Sequence, residues 1–81
     1  MPLFYFHIQT GDLLAKDPEG VHLADLAAVR EEALEAAKGI LAEAIRSGDD
    51  WVDKAFVITD EQGHRLLTMP ITDAMPKGLK G

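Results

Sequence analysis

The stretch from Asp25 to Gly48 limits what this chain can become. It is rich in Ala, Leu, Glu, Lys and Arg, all good helix formers, and no Pro interrupts it. Asp25 suits the N-cap, where its carboxylate can accept from a first-turn amide. Gly48 suits the residue just past the helix end, where a left-handed backbone costs glycine little. The span between them predicts a helix of roughly 22 residues, about 33 Å long. At about 100° per residue, Leu26, Val29, Ala33, Ala36, Ala37, Ile40, Leu41 and Ala44 share one arc. Glu31, Glu32, Glu35, Lys38, Glu43 and Arg46 share the opposite arc, so one face is expected in the core and one in water. Arg30 projects near the apolar arc. It is read as a side chain snorkelling at the edge of the core, or as a partner-binding arginine.

A helix with one apolar face needs a platform, and the flanking segments read as strands. Leu3 to Gln9 alternates: Phe4, Phe6 and Ile8 on one face, Leu3, Tyr5, His7 and Gln9 on the other. Phe4, Phe6 and Ile8 are assigned to the helix side. Thr10-Gly11-Asp12 is a turn, and Leu13 to Lys16 returns as a short second strand. Asp17-Pro18-Glu19-Gly20 is a strong turn signal. Val21 and Leu23 are expected to tuck under the start of the helix, and Trp51 to cover one end of the core. Lys54 to Thr59 and His64 to Met69 are the last two strands. They are joined by Asp60-Glu61-Gln62-Gly63, with Pro70 at a strand end or an edge.

The facing of this second hairpin is left open by the sequence. A three-residue loop sets Phe56, Ile58 and Leu66 on one face and Val57, Leu67 and Met69 on the other. A one-residue change of register swaps the pairings. Either way one helix covers one sheet face, and the second face, with Leu3, Tyr5, Val57, Leu67 and Met69, needs another cover. The expected architecture is α+β, β-β-α-β-β, an antiparallel four-stranded sheet with one long helix on one face. Residues 1–73 form the single domain and 74–81 a flexible tail.

The order and spacing of these features resemble a domain-of-unknown-function family of very short bacterial proteins. The matching residues are Tyr5-Phe6-His7, Gly11-Asp12, Asp17 with Gly20-Val21, the Ala/Glu-rich helix, Val57-x-Thr59-Asp60-Glu61-x-Gly63 and Leu66-Leu67-x-x-Pro70. The resemblance runs to about Thr72. It implies the β-β-α-β-β arrangement and a bacterial origin, and it brings no activity.

Composition narrows function by exclusion. The chain has 81 residues, which suits one domain. With no cysteine, disulfides, thiolate metal sites and cysteine nucleophiles are out. The opening Met1-Pro2-Leu3-Phe4-Tyr5-Phe6-His7 lacks a basic region and a long apolar run, so no signal peptide is expected. No stretch approaches the roughly 20 apolar residues of a membrane span. The expected location is cytoplasmic. Fourteen acids against eight bases give a net charge of −6, which disfavours direct contact with nucleic acid or an anionic membrane.

No residue pattern calls for chemistry. His7, His22 and His64 lie on separate elements and read as surface or edge histidines rather than a metal site. The two acidic turns do not match a calcium loop. Nucleophile-elbow, phosphate-loop and dinucleotide motifs are absent. Ser47, the lone serine, belongs at the helix end. No catalytic residue, metal or cofactor is assigned. The first expectation is a non-catalytic interaction module, a homodimer or a subunit of a larger complex, using the helix-free sheet face or a sheet edge. Its candidate contacts are Leu3, Tyr5, His7, Arg30, Val57, Leu67 and Met69. The alternatives are an antitoxin-like or regulatory partner protein, and a small-ligand binder with a dimer pocket around Tyr5, His7 and Arg65.

Overall fold

The computed structural model describes residues 1–75. Of the tail expected over residues 74–81, residues 76–81 lie outside the described residues. In chain order the elements are β1 (Leu3–Thr10), β2 (Leu13–Ala15), β3 (Val21–His22), α1 (Leu26–Ser47), β4 (Lys54–Thr59) and β5 (Arg65–Pro70). A 3₁₀ turn, Ile71–Ala74, follows β5.

The helix ends where its caps place it. Asp25 is extended and its carboxylate accepts from the Ala28 N–H at 2.9 Å. Gly48 is left-handed at φ 78°, and the Gly48 and Asp49 amides both donate to the Ala44 carbonyl. Two otherwise unpaired ends are thereby closed. The buried line is Val29, Ala33, Ala37, Leu41 and Ala44, a spacing of four, four, four and three. Leu26, expected on the apolar arc, is 52% exposed at the first turn, where the helix starts beyond the edge of the core.

The strand order is β2-β1-β4-β5, antiparallel throughout. The expected α+β architecture is therefore present: four sheet strands and one long helix packed on one face. The two-residue β3 is an addition, pairing Leu3 with His22 and Phe4 with Val21. So Val21 extends the sheet, while Leu23 packs against the core. The central ladder runs from Tyr5 opposite Thr59 to Thr10 opposite Lys54. Phe4, Phe56, Ile58, Met69 and Ile71 fill the space between sheet and helix. Phe6 meets Phe56 edge-on at 6.1 Å between centroids. Trp51, Ala74 and Met75 pack against the same cluster. Burying a side chain the size of Ile58 contributes about 1.5–3 kcal/mol.

A bulge decides the facing of the second hairpin. The register slips between Ile58 and Thr59, so Ile58 faces Leu67 while Thr59 faces Arg65. Leu66 is the extra residue, and a bulge flips the alternation that follows it. Leu67 and Met69 therefore point to the helix side with Phe56 and Ile58. Met69 is 1% exposed in the core, and Leu67 is half-buried against it. This corrects their assignment to the free face. Their places there are taken by Thr68 and Pro70, opposite Val57 and Ala55.

Candidate functional site

The helix-free face can be read row by row from the registers. Tyr5, Thr59 and Arg65 form one row across β1, β4 and β5. His7, Val57 and Thr68 form the next, and Gln9, Ala55 and Pro70 the third, with Leu14 of β2 opposite Gln9. Leu3, Tyr5 and His7 are half-buried. Val57 is 1% exposed, too deep to supply contact area. Arg30 is exposed on α1, on the far side of the sheet, so it does not join this face. Of the expected contacts, Leu3, Tyr5 and His7 come together there. Arg65 reaches the same face but is separated from Tyr5 by Thr59.

The main polar structure on this face is a clasp centred on His7. Its Nδ1 accepts from the Asp17 backbone N–H at 3.0 Å, and its Nε2 lies 3.0 Å from Thr59 Oγ1. Since Nδ1 accepts, this network assigns the proton of the neutral ring to Nε2, which donates to the threonine hydroxyl. A histidine that activates a hydroxyl nucleophile needs the reverse, a bare Nε2 taking the hydroxyl proton. His7 and Thr59 are thus set up to hold two strands together rather than to activate Thr59.

Asp17 completes the clasp. Its Oδ2 accepts from the Phe6 N–H at 3.1 Å, and its Oδ1 from the Glu19 and Gly20 amides at 3.1 and 3.2 Å. Partial burial pushes the carboxyl up. The amides of Phe6, Glu19 and Gly20 and the nearby His7 ring outweigh that, and the net pKa lies below the ordinary value. Tyr5 stacks parallel to His7 with centroids 6.1 Å apart. Gly20, at φ 76°, lies close against Leu3, Phe4 and Tyr5. A Cβ there would come within 2.9 Å of the Leu3 side chain and 3.1 Å of both the Phe4 carbonyl oxygen and the Tyr5 ring. Only glycine meets both the backbone angle and the space.

The other histidines go elsewhere. His22 Nδ1 lies 3.1 Å from the Met1 carbonyl oxygen, and His64 Nδ1 is 3.0 Å from Asp60 Oδ2. Slight desolvation raises the Asp60 carboxyl, but the His64 amide and ring and the Gln62 amide bring it net below its ordinary value. Among the described residues no three metal-ligating side chains gather. A shallow groove of about 380 Å³ runs beside α1, lined by Ala36, Gly39, Ile40, Glu43, Ala44, Asp49 and Lys54. Glu43 at its rim is already paired with Arg46 at 2.9 Å.

Sequence reasoning missed Asp17 and Thr59 as partners of His7. They lie 10 and 52 residues from it, and Asp17 carried the signal of a turn. Yet Tyr5, His7, Asp17, Gly20 and Thr59 all belong to the motifs that drew the family resemblance. The fold and this clasp define a compact α+β domain with one helix on an antiparallel sheet. The chain belongs to the family described as a domain of unknown function (DUF6894), which matches residues 3–72. No curated protein and no solved structure matches it.

Proposed function

We propose that this chain is a small non-catalytic interaction domain that associates with a second copy of itself through the helix-free sheet face. One observation carries the reading. That face, without a helix, presents the Tyr5 ring stacked on His7 beside the row ending in exposed Arg65. Tyrosine and arginine are the residues most enriched where interfaces concentrate their binding energy. The transfer of Leu67 and Met69 to the core makes the face more polar than the sequence implied. Such a face favours a modest, reversible dimer over an obligate one.

The outer arc of α1 favours a second reading. Glu31 and Glu32 are exposed there beside the Glu35–Lys38 and Glu43–Arg46 pairs, a mildly acidic surface that suits a regulatory subunit with a basic protein partner. Bacterial origin and a cytoplasmic location belong to the proposal as well. Among the described residues no helix is long and apolar enough to cross a membrane.

Light scattering at micromolar concentrations is the test. The expected result is a dimer that Arg65→Glu weakens at least tenfold, with the thermal midpoint unchanged at dilutions where both proteins are monomeric. A protein that stays monomeric at every concentration overturns the self-association. Retention of a basic partner by that monomer favours the second reading.

A further inference from the structure

We propose that β2, the Asp17 turn and β3 form a strap that opens as a unit, and that a second copy of β1 pairs with the edge so uncovered. The two edges of β1 are held very differently. Toward β4 the main-chain ladder covers Tyr5 to Thr10 without a break. On the other edge β2 covers only Ile8 to Thr10 and β3 only Leu3 and Phe4. Between them no strand reaches β1. The Phe6 N–H on that edge is satisfied by a side chain, the Asp17 carboxylate.

The strap has little apolar anchorage. All three residues of β2 are exposed, Leu13 at 77%. Besides the short β2 and β3 ladders, the strap is held by the Asp17 amide on His7, the Phe6 amide on the Asp17 carboxylate, the His22 contact with the Met1 carbonyl and the close seat of Gly20. Segments with few buried apolar groups open at lower free energy than the core.

The edge beneath is a template for pairing. Leu3–Thr10 is LFYFHIQT: aromatic and β-branched, with no proline and no acid, lysine or arginine. Strand edges of this kind recruit other strands when left bare. The occupant follows from self-complementarity. Centred on Phe6, antiparallel pairing sets Phe4 against Ile8, Tyr5 against His7 and Leu3 against Gln9 of the second copy. No like charges oppose, and the arrangement is two-fold symmetric, as closed dimers require. The Phe6 N–H then donates to a main-chain carbonyl instead of Asp17. This association uses the edge of β1 and is independent of the outer-face reading.

Native-state hydrogen exchange tests the opening. The Phe6 amide, with those of β2 and β3, is expected to exchange at least about 100-fold faster than the Ile58 amide. Equal protection means that the strap opens only with the whole domain, and overturns the proposal. Analytical ultracentrifugation of Asp17→Ala tests the pairing. The expected result is dimerisation at least about tenfold tighter than wild type, with the Phe6 amide protected again in the dimer. A folded, monomeric Asp17→Ala overturns it. If Asp17→Ala does not fold, Asp17→Asn keeps one acceptor and is expected to shift dimerisation in the same direction by less. No shift overturns the proposal. Arg65→Glu added to Asp17→Ala separates the two associations. An edge dimer survives it, whereas loss of the dimer assigns the contact to the outer face and removes this one.

Discussion

The two flanks of β1 solve the same problem by different means. Toward β4, main-chain hydrogen bonds run the length of the ladder and bulky side chains fill the space beneath. Toward β2 and β3, a few residues pair at each end, and one carboxylate and one imidazole bridge the middle. The first flank is robust because its hold is spread over many weak contacts. The second is concentrated in a few polar groups partly open to water. That contrast predicts where the domain gives way and what a substitution costs.

The largest effect belongs to the first flank. Ile58→Ala removes a fully buried side chain from the cluster between sheet and helix. It is expected to cost about 3 kcal/mol by denaturant unfolding, as such truncations do. A cost below about 1 kcal/mol would mean that the two flanks differ less than described. Next comes Gly20→Ala, in the strap. The left-handed angle and the crowding by the Phe4 carbonyl together are expected to cost about 2 kcal/mol. Hydrogen exchange should show that cost falling on β2 and β3 ahead of β4.

Asp17→Ala is the smallest of the three, about 1 kcal/mol, because the carboxylate is partly in water. Its pH dependence is diagnostic. The native carboxyl ionises below its unfolded value of 3.8. Its stabilisation is therefore complete above that value and is lost as pH falls through the native one. The stability gap between wild type and Asp17→Ala should be constant above about pH 5 and close below about pH 4. A gap that persists to lower pH would show that the charge on Asp17 is not what holds the strap.

The same contrast separates what could be read in the residues from what could not. The helix was legible to its caps, because Asp25 and Gly48 act on neighbours in the chain. The strands and their layers followed from alternation. The faces of Leu67 and Met69 did not, because one bulged residue reverses them and several registers satisfy the same pattern. The two-residue β3 was hidden because its pairing depends on where the Asp17 turn lands. The clasp was visible only as fragments: Tyr5 and His7 on a face, Asp17 in a turn, Thr59 in a strand. Nothing local says that an imidazole will lie between a threonine hydroxyl and an amide so distant in sequence.

The row of alanines along the inner side of α1 has its own consequence. Ala33 and Ala37 bring a smooth stretch of the helix against a rough surface whose bulk is Phe4, Phe56, Ile58 and Met69. Between Val29 and Leu41, the bulk at this seam comes from the sheet side. A methyl group gained on that stretch has nowhere to go unless the opposing side chain shrinks, so change across this seam has to come in matched pairs.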